Sequence, residues 1–366
     1  MSVLIVGAGP VGLVLALSLR QRGIPYRLTD KAAERLPWSR ALGIQARSLE
    51  MLDRLGLAQR ILEEALPIHG ACLHLGRRVV RARFRGMHPR FPSMVILPQA
   101  RTEAILEAAG PPPERGVAFE GLREGRAVLR HADGREELAE AEWIVGCDGA
   151  HSAVRHALGD PFRGKRYDAR LVLTDAHVEG LEPGFLHVAV SPPLLGFGLP
   201  GGLWRLVTTV PEGAPPPPEN DMAPFRRRGI APHDPVWWSA FGISQRQVAS
   251  MRKGRVVLAG DAAHVHSPAG GQGMNIGMQD AWSLASALAA GPDAVEAAVE
   301  AWALQRHAVA RRVLRATDRT TRAMLTAPGF LAPLRGALLA LAFRTPPLVR
   351  RFEAETAGLR YPPIPD

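Results

Sequence analysis

Gly7-Ala8-Gly9-Pro10-Val11-Gly12 lies between the β-favouring run Val3 to Val6 and an apolar, helix-like stretch ending near Arg20. Each glycine has a separate use at that junction. Gly7 permits a tight turn, Gly9 lets backbone approach a pyrophosphate, and Gly12 allows the helix to pack closely, its first N–H groups facing the phosphates. Asp30 follows Gly12 by eighteen residues, at the end of a second strand, Tyr26 to Thr29. A carboxylate there can accept both hydrogen bonds from an adenosine ribose. Strand, turn, helix and acid together read as a dinucleotide-binding βαβ unit, which by itself does not distinguish NAD from FAD.

Two further turns carry aspartate at the carboxyl end of an apolar strand. Cys147-Asp148-Gly149-Ala150-His151-Ser152-Ala153-Val154-Arg155 follows Trp143 to Val145. Gly260-Asp261-Ala262-Ala263-His264 follows Val256 to Ala259 and leads into Ser267-Pro268-Ala269-Gly270-Gly271-Gln272-Gly273-Met274-Asn275. In open α/β sheets this edge is where ligands bind. Asp261 is suited to a chain of hydroxyls, and a helix starting near Gly273 offers free N–H groups to negative charge on a bound ring.

The elements that must position these turns are legible as pattern. The spacing of Leu49, Leu52 and Leu55 predicts a helix over Ala46–Leu55 stopped at Gly56. Val80, Ala82 and Phe84 alternate with Arg81, Arg83 and Arg85 within His69–Arg85, the pattern of a half-buried strand. A helix is expected from Thr102 to Ala109, and a hairpin around Asp133-Gly134. Strands are expected at Leu171–Val178, Phe185–Val190, Trp204–Val210 and Val236–Ile243, with proline-rich connections such as 215–218. The chain after Gly273 is helical, and its Leu334–Phe343 run is expected to close onto the α/β part. The expected architecture is α/β: a discontinuous Rossmann-like domain (1–67, 95–160 and 246–366, with the C-terminal helices) and an inserted, mostly antiparallel sheet domain (68–94 and 161–245).

At 366 residues and 46% hydrophobic the chain is long and apolar enough for a real core, which excludes a disulfide mini-protein or a disordered tail. The net charge of +10 comes from arginine spread along the chain. It forms no basic block with interleaved aromatics, so no nucleic-acid partner is expected. Cys72 and Cys147 are too few for a disulfide framework, and with no leader-like opening a reducing cytoplasm is the expected setting. No integral membrane segment is expected. His264 and His266, two apart on a loop without further nearby ligands, do not make a metal site.

The three motifs, in this order, resemble those of the FAD-dependent aromatic hydroxylases, the group A flavoprotein monooxygenases of the para-hydroxybenzoate hydroxylase type. Arg40-Ala41-Leu42-Gly43-Ile44-Gln45-Ala46-Arg47-Ser48-Leu49-Glu50-Met51-Leu52 and the Gly260–Asp280 segment resemble signatures of the phenol and polyketide hydroxylase branch. The likeness covers nearly all of the expected cofactor domain and is far weaker from Pro161 to Gln245, where substrate is chosen.

The resemblance implies FAD as cofactor, NADPH or NADH as reductant, and dioxygen with a small aromatic molecule as substrates. It places Gly7, Gly9, Pro10, Val11, Gly12, Asp30 and Lys31 at the ADP half of FAD, Arg40 on the pyrophosphate side and Gln99 near the ribityl and flavin. Asp148 and Arg155 carry a motif tied to both FAD and the reduced nicotinamide. Gly260 and Asp261 fall at the ribityl chain and pyrophosphate, and Gly271, Gly273, Met274 and Asn275 along the pyrimidine edge. Pro268 lies where the aromatic ring reacts, and Arg205 falls where relatives have an arginine that assists flavin movement. These two are the candidate catalytic residues. The reaction implied is hydroxylation of a phenolic or polyketide-like ring through a flavin C4a-hydroperoxide, by a monomer or homodimer.

Several features depart from the pattern or leave other readings open. The thioredoxin-like domain common in larger relatives is not expected after the last motif. The sheet domain has only Tyr167 where smaller relatives use tyrosine to polarise a phenol, and His69, His177 and His187 are bases by chemistry alone. Trp204, Trp237 and Trp238 suit either an aromatic pocket or a core. The competing functions are an isoprenoid-directed flavoenzyme (an epoxidase or a geranylgeranyl-reductase-like enzyme) and a non-catalytic flavin-binding protein.

Overall fold

The computed structural model describes residues 1–76, 78–190, 193–210, 213–215, 217–268, 270–325 and 332–363. Residue 216 of the proline run, Ala269 of the loop motif and the last three residues of the tail lie outside these.

Val3–Val6, fully buried, is a central strand of a six-stranded sheet ordered Arg252–Lys253, Val256–Leu258, Trp143–Gly146, Val3–Val6, Tyr26–Asp30 and Glu114–Arg115. All neighbours are parallel except the outermost pair at Arg252–Lys253. Inner strands of a parallel sheet are covered on both faces, which is why they read as unbroken apolar runs. The helix Pro10–Gln21 packs on the helix Gly273–Leu288. Both share the main core with an antiparallel meander of Val117–Arg123, Arg126–His131 and Glu136–Ala139. The expected helix at Ala46 ends at Arg54, with Gly56 at φ +74° beyond it, a backbone turn that glycine adopts without strain.

The second sheet has eight strands, ordered His264–Val265, His233–Gln247, Arg163–His177, Trp204–Val210, Pro193–Gly198, Phe185–Val190, Gly70–Leu75 and Arg78–Arg83. It is antiparallel except where Phe185–Val190 runs beside Gly70–Leu75. Register puts Asp175 opposite both Arg205 and Trp237, and Leu171 opposite Phe241. Alternation therefore gives the sheet two distinct faces. One buries Val172, Trp204 and Leu206 with Met222 and Phe225. The other presents Asp175, Arg205 and Phe241 to the loop at Ser39 and Arg40. A small three-stranded sheet, in the order Gly43–Gln45, Met94–Ile96 and Leu66–Pro67, lies among the segments that join the two large sheets.

Two expectations are corrected, and the open choice for the tryptophans is decided. The His69–Arg85 stretch is a hairpin rather than one strand, although Val80 and Ala82 are buried and Arg81 and Arg83 exposed, as the alternation requires. Trp204 and Trp238 do not wall a pocket: Trp204 lies in the far-face core, and Trp238 packs there edge-on to Phe225. Trp237 alone of the three faces Arg205. Finally, the helix Ala332–Arg344 packs on the hairpin at the edge of the eight-stranded sheet rather than on the α/β part. Its apolar residues are spread round the axis, so one side meets the hairpin and another is left out.

Candidate cofactor and active site

The carboxyl ends of four adjacent strands bring the motif turns to one edge of the six-stranded sheet. Asp30, Gly7, Asp148 and Asp261 follow or end neighbouring strands in that order, so three inter-strand steps, about 14 Å, separate the first from the last. Stretches far apart in the chain thus share one rim.

The glycine turn is shaped by close approach. Gly7 has φ +104°, and a Cβ there would lie 2.6 Å from the Cys147 carbonyl oxygen. One on Gly12 would lie 1.9 Å from the Gly7 carbonyl oxygen. Gly9 is different, since a Cβ there would meet nothing within 4 Å. Its surroundings are open in front of a helix whose first backbone bond runs from the Leu13 N–H to the Gly9 carbonyl, leaving the preceding N–H groups outward-facing. Pro10 supplies a pre-set φ at the first helical position. Val11 wedges between Gly260 and Gly277, where added Cβ atoms would lie 2.8 and 2.7 Å from its methyl. The first motif is thereby fitted onto the third.

The acids are held rather than free. Asp30 accepts from the Ala8 N–H at 2.7 Å and the Ala32 N–H at 2.8 Å, which fixes its carboxylate at the strand end with lone pairs to spare. Lys31 beside it is exposed. One Asp148 oxygen accepts from Ala153 N–H at 2.7 Å, while the other is buried without a partner. Arg155 is buried and reaches the Ala150 carbonyl at 2.8 Å and the Ala262 carbonyl at 2.9 Å, joining the second turn to the third. Asp261 is reached by solvent, yet protein crowds it enough that desolvation raises its carboxyl above the ordinary range, opposed by His264.

Behind Asp261 stands a fully buried charge network that the sequence reading did not find. Asp280 bonds His264 at 2.6 Å, Arg306 at 2.6 Å and the Gly260 N–H at 3.2 Å. Burial pushes its carboxyl up, but Arg306 and His264 outweigh that and hold it below the usual carboxylate range. Its partners are 16 to 26 positions away, on a turn, a short strand and another helix, so no local signal announces them.

The loop leading into helix Gly273–Leu288 is fastened from several sides. Pro268 is exposed, and its carbonyl accepts from Gly271 N–H at 3.0 Å to form a turn in which Gly270 and Gly271 both have positive φ. Asn275 is buried: its amide donates to the carbonyls of Gly43 (2.8 Å) and Gly271 (3.0 Å), and its oxygen accepts from Gln45 N–H (2.9 Å). It staples this loop to the small sheet with no donor left over. Met274 packs against the main core. The hydroxyl of Tyr361 donates to the Gln272 carboxamide oxygen, and Ser267 and Thr321 hydroxyls meet at 2.6 Å. His266 donates from Nδ1 to the Ser267 carbonyl at 3.0 Å, and its Nε2 is buried without a partner beside Gly273. Burial lowers this imidazole to about 4, so it is neutral.

The remaining expected residues lie off the rim. Gln99 opens a helix, its amide donating to Glu103 at 2.7 Å. The Arg40 guanidinium rests 4.3 Å above the Phe241 ring, where desolvation lowers its basicity. Arg205, 2% exposed, spends its donors on Asp175 (2.7 Å twice) and on the carbonyls of Ser39 (2.7 Å) and Arg40 (3.0 Å). Of the candidate bases, His69 is exposed. His187 is buried on the far sheet face between His74 and the Glu182 carbonyl, and His177 stacks on His233. Desolvation and a bond to Asp318 raise the Tyr167 phenol, keeping it protonated. Cys147 is buried with its thiol pushed well up by desolvation, which makes it inert. Among the described residues no group of three His, Cys, Asp or Glu is placed to hold a metal.

The chemistry of this rim fits FAD. It offers an open backbone cradle at Gly9, a carboxylate for ribose, an unpartnered buried oxygen on Asp148 and a solvent-reached acid at Asp261. The loop at 268–273 then begins a helix whose free N–H groups suit an electron-rich ring edge.

Comparison with known proteins agrees. Residues 1–191 and 225–317 match the family described as FAD binding domain. The chain is 36% identical to 6-methylpretetramide 4-monooxygenase of Streptomyces rimosus, over 96% of this chain and 67% of that protein. It is 35% identical to the rifampicin monooxygenase of Streptomyces venezuelae, over 89% and 72%. Among solved structures, anhydrotetracycline hydroxylase from Streptomyces rimosus superposes with a TM-score of 0.80 at 31% identity, over 99% of this chain and 77% of that one.

Proposed function

The chain belongs to the FAD-dependent aromatic monooxygenases, and from that premise we propose that it hydroxylates a phenolic or polyketide-like ring using dioxygen and a reduced nicotinamide. The observation that carries this is the common rim of Asp30, Gly7, Asp148 and Asp261, flanked by the 268–273 loop. FAD held by these residues would supply the redox chemistry, with hydride from NADH or NADPH and dioxygen giving one oxygen atom to the ring and the other to water.

The protein's own part is to bind, orient and exclude water. In this reading Gly7, Gly9 and Gly12 with the helix start receive the pyrophosphate, Asp30 the ribose, and Asp261 the ribityl hydroxyls. The Gly273 helix start steadies negative charge at the pyrimidine edge. Pro268 stands beside the reacting ring, and Arg205 positions the 39–40 loop that faces the same space. Segments 1–67, 95–160 and 246–366 then form the cofactor part, with 68–94 and 161–245 the substrate sheet. The sheet face bearing Phe241 and Leu171 covers the substrate and keeps water out.

The test is direct. Purified protein reconstituted with FAD should be yellow, a phenol or polyketide panel should accelerate NAD(P)H oxidation, and label from dioxygen should enter the product. No flavin retention sinks the cofactor assignment. Flavin retention without stimulated turnover across the panel points to a flavin-binding protein instead.

A further inference from the structure

The helices Ala332–Arg344 and Pro346–Thr356 meet through Phe343 and Phe352, whose ring centroids are 6.0 Å apart. One side of the first helix seats on the edge hairpin so closely that a Cβ on Gly336 would lie 2.7 Å from Leu75. Its outer side carries Leu334 and Leu338, each 58% exposed, and Leu341, 63% exposed. Steps of four and three residues align them in one stripe. Leu348, 47% exposed, stands at the start of the second helix. A row of half-exposed leucines is different from the scattered apolar residues of an ordinary surface.

Along the segment that carries this stripe the charges have one sign, and Glu355 later in the second helix is paired with Arg360. Residues 332–352 contain Arg335, Arg344, Arg350 and Arg351 and no Asp or Glu. The next acid, Glu353, is buried and turned inward, accepting from Gly86 N–H at 2.8 Å, Ser93 hydroxyl at 2.7 Å and Arg85 N–H at 3.1 Å. It does nothing to neutralise the rim. A second copy of this chain, docked on the same face about a twofold axis, would bring like charges together. An anionic lipid surface satisfies leucines and arginines at once.

We propose that this face adsorbs to anionic lipid bilayers, the leucines entering the boundary between headgroups and acyl chains and the arginines meeting lipid phosphates. The contact is peripheral, because no helix among the described residues is long and apolar enough to cross a membrane. The overall charge of +10 adds attraction at longer range.

Flotation of the FAD-loaded protein with vesicles tests this, comparing phosphatidylglycerol-containing with pure phosphatidylcholine vesicles at low and high salt. Anionic vesicles should bind it about tenfold or more tightly than neutral ones, and high salt should remove most of that gain. The Leu338→Glu/Leu341→Glu variant should lose binding while keeping its flavin content and melting temperature. Equal binding to both vesicle types overturns the role of the arginines. Undiminished binding by the leucine variant reduces the effect to general charge adsorption and overturns the site. Absence of vesicle binding together with concentration-dependent dimerisation abolished by the same variant assigns the face to a second copy instead.

Discussion

Arg205 and Asp175 form a two-point ion pair, both contacts at 2.7 Å, across neighbouring strands of the eight-stranded sheet. The pair is almost wholly buried, and the remaining terminal nitrogen of Arg205 grips the backbone carbonyls of Ser39 and Arg40. Removing one partner strands a buried charge. Arg205→Met should cost about 3–5 kcal/mol in denaturant unfolding, and Arg205→Met combined with Asp175→Leu clearly less than the sum of the two single changes. Strict additivity would mean the pair is not coupled.

Gly9 and Gly12 predict opposite outcomes for the same substitution. Gly9 has an extended backbone and open surroundings, so Gly9→Ala should leave the cofactor-free protein within about 0.5 kcal/mol of wild type. Its methyl nevertheless faces the proposed pyrophosphate, and FAD affinity should fall about tenfold, equal to about 1.4 kcal/mol. Gly12→Ala collides with the Gly7 carbonyl and should destabilise the fold itself by about 3 kcal/mol. Equal effects of both variants on melting temperature would contradict this division.

His266 makes stability depend on acid. Its imidazole ionises near 6.5 when unfolded and at about 4 when folded, so between those values the unfolded chain holds the extra proton. Stability therefore falls as pH drops from 6.5 towards 4, with a slope of up to about 1.4 kcal/mol per pH unit from this group. Comparing denaturant midpoints of wild type and His266→Gln across that window isolates the contribution. Parallel curves would remove it.

Tyr361 reaches back to the cofactor loop from near the end of the chain, its phenol pushed up to about 12 by burial and its hydroxyl donating to Gln272. Tyr361→Phe keeps the ring and deletes the bond, worth about 1 kcal/mol. Hydrogen exchange at Gly270–Gly273 should quicken and FAD should bind about fivefold more weakly. Unaltered exchange in that loop would reduce Tyr361 to packing alone.

What the chain discloses as sequence depends on range. Gly7, Gly9, Gly12 and Asp30 are readable because strand, turn and helix are contiguous and their needs are local. The alternation of Val80 and Ala82 with arginines gives the correct buried face, but not the hairpin partner. Asn275 is read from its motif as a pyrimidine-edge residue, but its part as a staple is not readable there, since the groups it bonds sit 230 and 232 positions earlier, at Gln45 and Gly43. Arg205 gives no hint of Asp175, which register alone places opposite it. The apolar residues of the helix at Ala332 are spread round its axis, so periodicity offers no direction in which to pack it.

The bond from Gln45 to Asn275 also constrains when the binding rim can exist. The βαβ unit of residues 3–30, made before the later turns, has its glycine turn but neither the residues that wedge against Val11 nor the carboxylate at position 261. Closing so long a span is slow. No contiguous fragment ending before the helix at Gly273 should retain flavin, and cofactor capture becomes a late event that waits for residues 260–277.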